Sequence, residues 1–146
     1  MLYKDLEELI AKGEIKVGDK LWICDYRLGD CPMDKPIRHI TPVEVILCSD
    51  DTLPKNKRVY YSYYHFRTLT KKGTPSSKII APYDNTGYRN YTGVSLNIFL
   101  EEDKCRKHYR EQCEVVKSEI DSAKIAYIAK LDEVLNKVNQ EIIEHC

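Results

Sequence analysis

Val116-Lys117-Ser118-Glu119-Ile120-Asp121-Ser122-Ala123-Lys124-Ile125-Ala126-Tyr127-Ile128-Ala129-Lys130-Leu131 contains neither glycine nor proline and is rich in strong helix formers. It lies inside a longer stretch of the same kind. All six glycines and all six prolines of the 146-residue chain fall at or before Gly93, so the last 53 residues hold no helix breaker. Apolar positions in this stretch recur at Cys105, Tyr109, Cys113, Val116, Ile120, Ala123, Tyr127, Leu131, Val134, Val138 and Ile142, in steps of three and four. That period belongs to a helix and to no strand. Unbroken from Glu102 to Glu144, such a helix is about 60 Å long at 1.5 Å per residue. It therefore either turns back without a glycine or projects and buries its stripe on another chain. The near-heptad steps favour the second, a homo-oligomer held by the C-terminal helix.

The first 93 residues follow other rules. Leu2, Leu6, Leu9 and Ile10 mark a short amphipathic helix ended by Gly13. Val17-Gly18-Asp19-Lys20 is a turn into a strand over Leu21–Tyr26, and Asp30–Pro36 is expected as a loop. Ile37–Ile40 and Val43–Cys48 are extended, with Pro42 marking a bulge or an edge. A polar turn over Asp50–Asn56 leads into Arg58–Phe66, the most strand-like segment, followed by a loop tip at Lys71–Ser77. Lys78–Ala81 and Val94–Leu100 complete the set. The expected fold class is therefore α+β: a short N-terminal helix, a small bent antiparallel sheet or half-open β-barrel, and a long C-terminal helix. The division falls near residue 100, with a barrel-like unit over 1–100 and the oligomerisation helix over 101–146.

Six cysteines occur without any C-x-x-C pair, which argues against a structural zinc site. Cys105, His108 and Cys113 come closest to a metal-binding spacing. No apolar run approaches a membrane span, and Met1–Asp5 shows no signal-peptide core. Reduced thiols in a cytoplasm are the expectation. Nucleotide-binding glycine loops, nucleophile elbows and H-E-x-x-H pairs are absent, so the chain reads as non-enzymatic and without a cofactor. Cys48 and His65 are able to meet across strands as nucleophile and base, but buried structural residues are the stronger reading. Asp50 and Asp51 read as turn acids. Trp22 shares one strand face with Cys24 and Tyr26, as core or as a stacking platform.

Ile15-Lys16-Val17-Gly18-Asp19-Lys20-Leu21-Trp22 resembles the first strand of small Tudor-like or KOW-like barrels. Together with Pro42-Val43-Glu44-Val45, an aromatic third strand and Ile98-Phe99-Leu100-Glu101-Glu102-Asp103-Lys104-Cys105, it resembles a loose group of small phage and gut-bacterial proteins. In those, the last strand runs into a helix through a threonine cap, where this chain has Glu101. The resemblance implies a barrel followed by a helix and a mobile-element origin. It implies no activity.

Charge supplies the functional bias. Lys plus Arg and Asp plus Glu both number 23, so the formal net charge is zero. The balance is uneven, however: residues 1–93 carry +3 and residues 94–146 carry −3. Between Thr52 and Thr92 eight basic residues face one acid, Asp84, for a net +7, and eight of the fourteen aromatics lie in the same segment. Cations beside flat rings suit an anionic ligand that contains a base. The candidate ligand-binding residues are Tyr63, His65 and Arg67, with Lys71, Lys72, Arg89 and Tyr91 along the rim. The expected function is a non-enzymatic phage-type protein that captures a nucleotide signal and counters host defence. The alternatives are an anti-CRISPR-like protein that inhibits a host defence enzyme by direct contact, and a barrel-type nucleic-acid binder.

Overall fold

The computed structural model describes residues 1–31, 35–53, 64–80 and 96–145. Its first element, helix α1 (Tyr3–Ala11), starts where the Asp5 carboxylate accepts the Leu2 backbone N–H at 3.1 Å. The helix ends as its sequence dictates. Gly13 takes φ 77°, its N–H reaches the Ile10 carbonyl, and the Glu14 N–H reaches that of Leu9. This pair of bonds satisfies carbonyls that the helix end would otherwise orphan, and it requires a left-handed residue at Gly13. Gly18, at φ 97°, is the left-handed corner of the Lys16–Asp19 turn, which delivers the chain into β1 (Lys20–Cys31).

β1 pairs antiparallel with β2 (Lys35–Ser49), which pairs with β3 (Tyr64–Leu69), which pairs with β4 (Pro75–Ile80). The short β5 (Asn97–Phe99) adds to the other side of β1, giving the order β4-β3-β2-β1-β5. Among the described residues the sheet is open: β4 and β5 lie at opposite edges and do not close it into a barrel. The backbone of Met1 exchanges hydrogen bonds with Ile98 along the outer side of β5.

Several expected boundaries shift. The segment 30–36, expected as a loop, is shorter, because β1 runs through Cys31 and β2 begins at Lys35. β2 is one strand across Pro42. The register slips there, Ile23 opposing Val43 and Asp25 opposing Ile40, so a residue without an N–H sits where ladder pairing is already broken. The β3–β4 tip is tighter than Lys71–Ser77. Thr70 and Thr74 close a three-residue loop with Gly73 at φ 81°, and Pro75–Ser77 are already strand. Residues 58–63 of the expected aromatic strand lie outside the described residues.

Alternation across the strands divides the sheet into two faces. On one, Leu21, Ile23, Val45, Leu47, Phe66 and Ile98 are buried together with Leu6 of α1, Ile15 and Leu96. Tyr64 and Ile80 pack at the rim of this core, so the Tyr64–Phe66 side of β3 is the core side. The other face carries Trp22, Cys24 and Tyr26 of β1 and receives the start of α2 (Glu102–Glu144). Here Tyr109 meets Tyr26 edge to face at 5.4 Å, His108 lies 5.2 Å from Phe99, and the Arg106 guanidinium sits 5.7 Å above the Trp22 ring. Trp22 is therefore half-buried beneath the helix rather than part of the main core.

α2 is one unbroken helix of 43 residues. Only Cys105 and Val116 are buried on it, and every residue from Asp121 to His145 is exposed. The helix therefore projects and does not turn back. Among the described residues no helix is long and apolar enough to cross a membrane.

Candidate functional site

The face of the sheet opposite the core gathers four functional side chains at the β2–β3 end. Cys48 and His65 are direct cross-strand partners, and Asp50 follows β2 in a 3-10 turn over Asp50–Thr52. Asp50 and His65 are both buried, His65 being only 1% exposed. The His65 Nδ1 and the Asp50 Oδ1 lie 2.9 Å apart, and the Arg67 Nε donates to the His65 Nε2 at 3.0 Å. A guanidinium N–H only donates, so Nε2 is the acceptor nitrogen of the ring. The ring proton is then on Nδ1, which donates to Asp50. The result is a directed chain in which Asp50 orients His65 and His65 orients Arg67.

This arrangement decides between two readings of the histidine. A base that activates Cys48 needs a free acceptor nitrogen near the thiol. Here that nitrogen is taken by Arg67, while the Cys48 thiol donates to the Ile46 carbonyl at 3.6 Å. Burial pushes the Cys48 thiol above its ordinary range, against the opposing pull of Arg67. The pair is a structural cross-strand neighbour, not an assembled nucleophile and base.

What the chain of bonds leaves available is the end of Arg67. Arg67 is half-buried, and among the described residues its two terminal amino groups have no partner. Anchored through Nε, the guanidinium presents a planar fork suited to an oxyanion.

The sequence candidates are thus only partly brought together. His65 and Arg67 bond directly, but His65 is a buried support rather than a surface contact. Lys71 and Lys72 are exposed at the hairpin tip, about 13 Å along the strand from Arg67 at ~3.3 Å per residue. Lys20 of β1 brings its Nζ beside Gly73, within 3.8 Å of where a Cβ would stand, which adds a third cation to that tip. Tyr63, Arg89 and Tyr91 lie outside the described residues. An open depression of about 560 Å³ runs along α2, lined by Glu114, Val115, Ser118, Glu119 and Ser122, none of which belongs to this cluster. Asp50 escaped the sequence reading because turn chemistry explained it. Its role depends on the β2–β3 register, and no spacing rule reveals that.

Cys105, His108 and Cys113, the spacing that comes closest to a metal site, do not bring three ligand atoms together among the described residues. The one triad of metal-capable side chains whose ligand atoms approach within 4.8 Å, among the described residues, is the exposed Glu141, Glu144 and His145. Instead the Cys24 thiol donates to the Cys105 carbonyl at 3.6 Å beneath α2. Burial first, then a side-chain hydrogen bond with the Cys105 thiol, pushes the Cys24 thiol far above its ordinary value of 9.0, and burial raises Cys105 as well.

Two expected results follow for the thiols. With iodoacetamide at pH 8, read by peptide mass spectrometry, Cys113, which is half-buried, reacts well before the buried Cys24, Cys48 and Cys105. Equal rates at all four would contradict the packing described. The pH effect has a fixed sign. A thiol raised in the folded state stays protonated where the unfolded thiol ionises, so its contribution is complete below pH 9 and is lost as pH rises further. Urea unfolding is therefore expected to show stability falling above pH 9, and Cys24→Ser is expected to flatten that fall.

No protein-family model, curated protein or solved structure matches this chain.

Proposed function

We propose that this is a non-enzymatic binding protein that captures a phosphate-bearing small ligand, foremost a nucleotide, with Arg67 as the anchoring cation. The observation that carries the reading is the Asp50–His65–Arg67 chain, which holds one guanidinium fork in place from a buried carboxylate. A held fork loses less freedom on binding an oxyanion than a loose surface arginine does. The +7 charge of residues 52–92 supports it as a bias of the sequence toward anions, and Lys71 and Lys72 add exposed cations at the β3–β4 tip. A role against host defence is implied by the resemblance to phage proteins and rests on that resemblance.

Isothermal titration of the full chain against cyclic and linear nucleotides tests the proposal. Binding by at least one nucleotide at micromolar protein is expected, weakened about tenfold or more by Arg67→Lys, which keeps the charge and loses the fork. Silence across the panel overturns it.

A second reading, an interaction module that inhibits a host protein by contact, is favoured by the exposed apolar side chains of α2. It predicts a complex insensitive to Arg67→Lys. Retention on single-stranded nucleic acid that weakens steeply with salt would point instead to a nucleic-acid binder.

A further inference from the structure

The exposed part of α2 carries a pattern finer than a helical stripe. Ile128, Leu131, Leu135, Val138 and Ile142 follow in steps of 3, 4, 3 and 4, the alternation of a and d positions in a heptad repeat. All five are between 48% and 58% exposed in the single chain. Tyr127 and Val134 fall at the first two flanking g positions and widen the face there to three apolar residues in seven, while the third g position is Glu141. Lys130, Glu133, Lys137 and Glu144 all lie outside this face. Toward the sheet the seam stops, because the preceding d and a positions are Lys124 and Asp121.

We infer that the seam from Tyr127 to Ile142 is the docking face for a second copy of this chain. Three arguments select that occupant. A knobs-into-holes seam requires a facing helix of the same 3.5-residue period, and a second α2 supplies one of equal length and matching width. The area is also sufficient. Half-exposed apolar side chains offer on the order of 80 Å² each, so seven on each of two copies remove on the order of 1,000 Å², the scale of a stable specific contact. Finally, from Asp121 onward every helix residue is exposed and packs on nothing among the described residues, and helices in water draw most of their stability from packing an apolar face. The apolar face and the length of the projection are thus explained together by one partner. The seam begins beyond the part of α2 that covers β1, so association leaves the sheet and the Arg67 cluster untouched.

Sedimentation equilibrium on the full chain tests the inference. The wild type is expected at an integral multiple of 17.1 kDa. Leu131→Ala with Leu135→Ala keeps helix propensity and removes two seam residues, and is expected to raise the dissociation constant at least about 100-fold. Leu131→Glu with Leu135→Glu is expected at 17.1 kDa, with Trp22 fluorescence unchanged because the helix start still covers that ring. Ile125→Glu and Ile143→Glu, which replace exposed apolar residues off the seam, are expected to keep the wild-type mass. A wild type that sediments at 17.1 kDa up to ~100 µM overturns the inference, as does a complex with a different protein only. So does equal dissociation by the seam and off-seam variants.

Discussion

Phe66→Ala is expected to lower the unfolding free energy by about 3–5 kcal/mol, the largest effect of any truncation in the apolar core. Phe66 is fully buried and is the largest side chain of the core. It stands on β3 between Leu47 of β2 and Ile80 of β4, in the same buried cluster as Leu6 of α1, so both neighbouring strands meet at one ring. Removing it costs the transfer free energy of the ring and leaves a cavity that three strands held by hydrogen bonds cannot close. Urea unfolding followed by Trp22 fluorescence measures the loss. The neighbouring Ile79, at the surface on the opposite face of β4, is the control: Ile79→Ala is expected to cost no more than about 1 kcal/mol. Comparable losses at the two positions would mean that the core does not lie on the Phe66 side.

The second large effect is at His65. His65→Ala removes the sole described partner of the Asp50 carboxylate, whose Oδ2 already has no hydrogen bond among the described residues. A buried carboxylate stripped of its hydrogen-bond donor is costly, and the loss is expected to destabilise by about 3 kcal/mol. Asp50→Asn with His65→Ala removes the stranded charge, so the double variant is expected to be more stable than His65→Ala alone. The coupling energy in this cycle is expected to be at least about 1 kcal/mol. Additive losses would show that the two side chains do not act as a unit, and the orientation of Arg67 would lose its foundation. In a working binder the same His65→Ala chain, where folded, is expected to weaken nucleotide binding through the unanchored Arg67, while Lys71→Ala at the distant tip weakens it only slightly.

Much of the fold was legible because it is governed by neighbours in the chain. Gly13 stops α1, Gly18 turns into β1 and Gly73 closes the β3–β4 tip because each adopts a left-handed φ that side-chain-bearing residues avoid. Pro42 marks the break in register for an equally local reason, its missing N–H. The misplaced boundaries lie where pairing overrides local preference. Pro75–Ser77 read as loop, yet the β3 ladder draws Pro75 into register opposite Leu69. A polar segment becomes strand when a neighbour satisfies its backbone groups.

The site was legible only in part. His65 and Arg67 stood out as an i, i+2 pair on one strand face, which is a local relation. Asp50 lies 15 residues from His65, and Cys24 lies 81 from Cys105, so both contacts depend on which strands and helices meet. The sequence by itself determined the helices, the turns and the two-faced strands, because breaker positions and apolar periods act over a few residues. Only the tertiary structure decided that the sheet stays open, that α2 packs by its first turns and then leaves the body, and that a buried acid holds Arg67. These three depend on the register and order of strands, and register arises from burying one face of the sheet rather than from any residue's own preference.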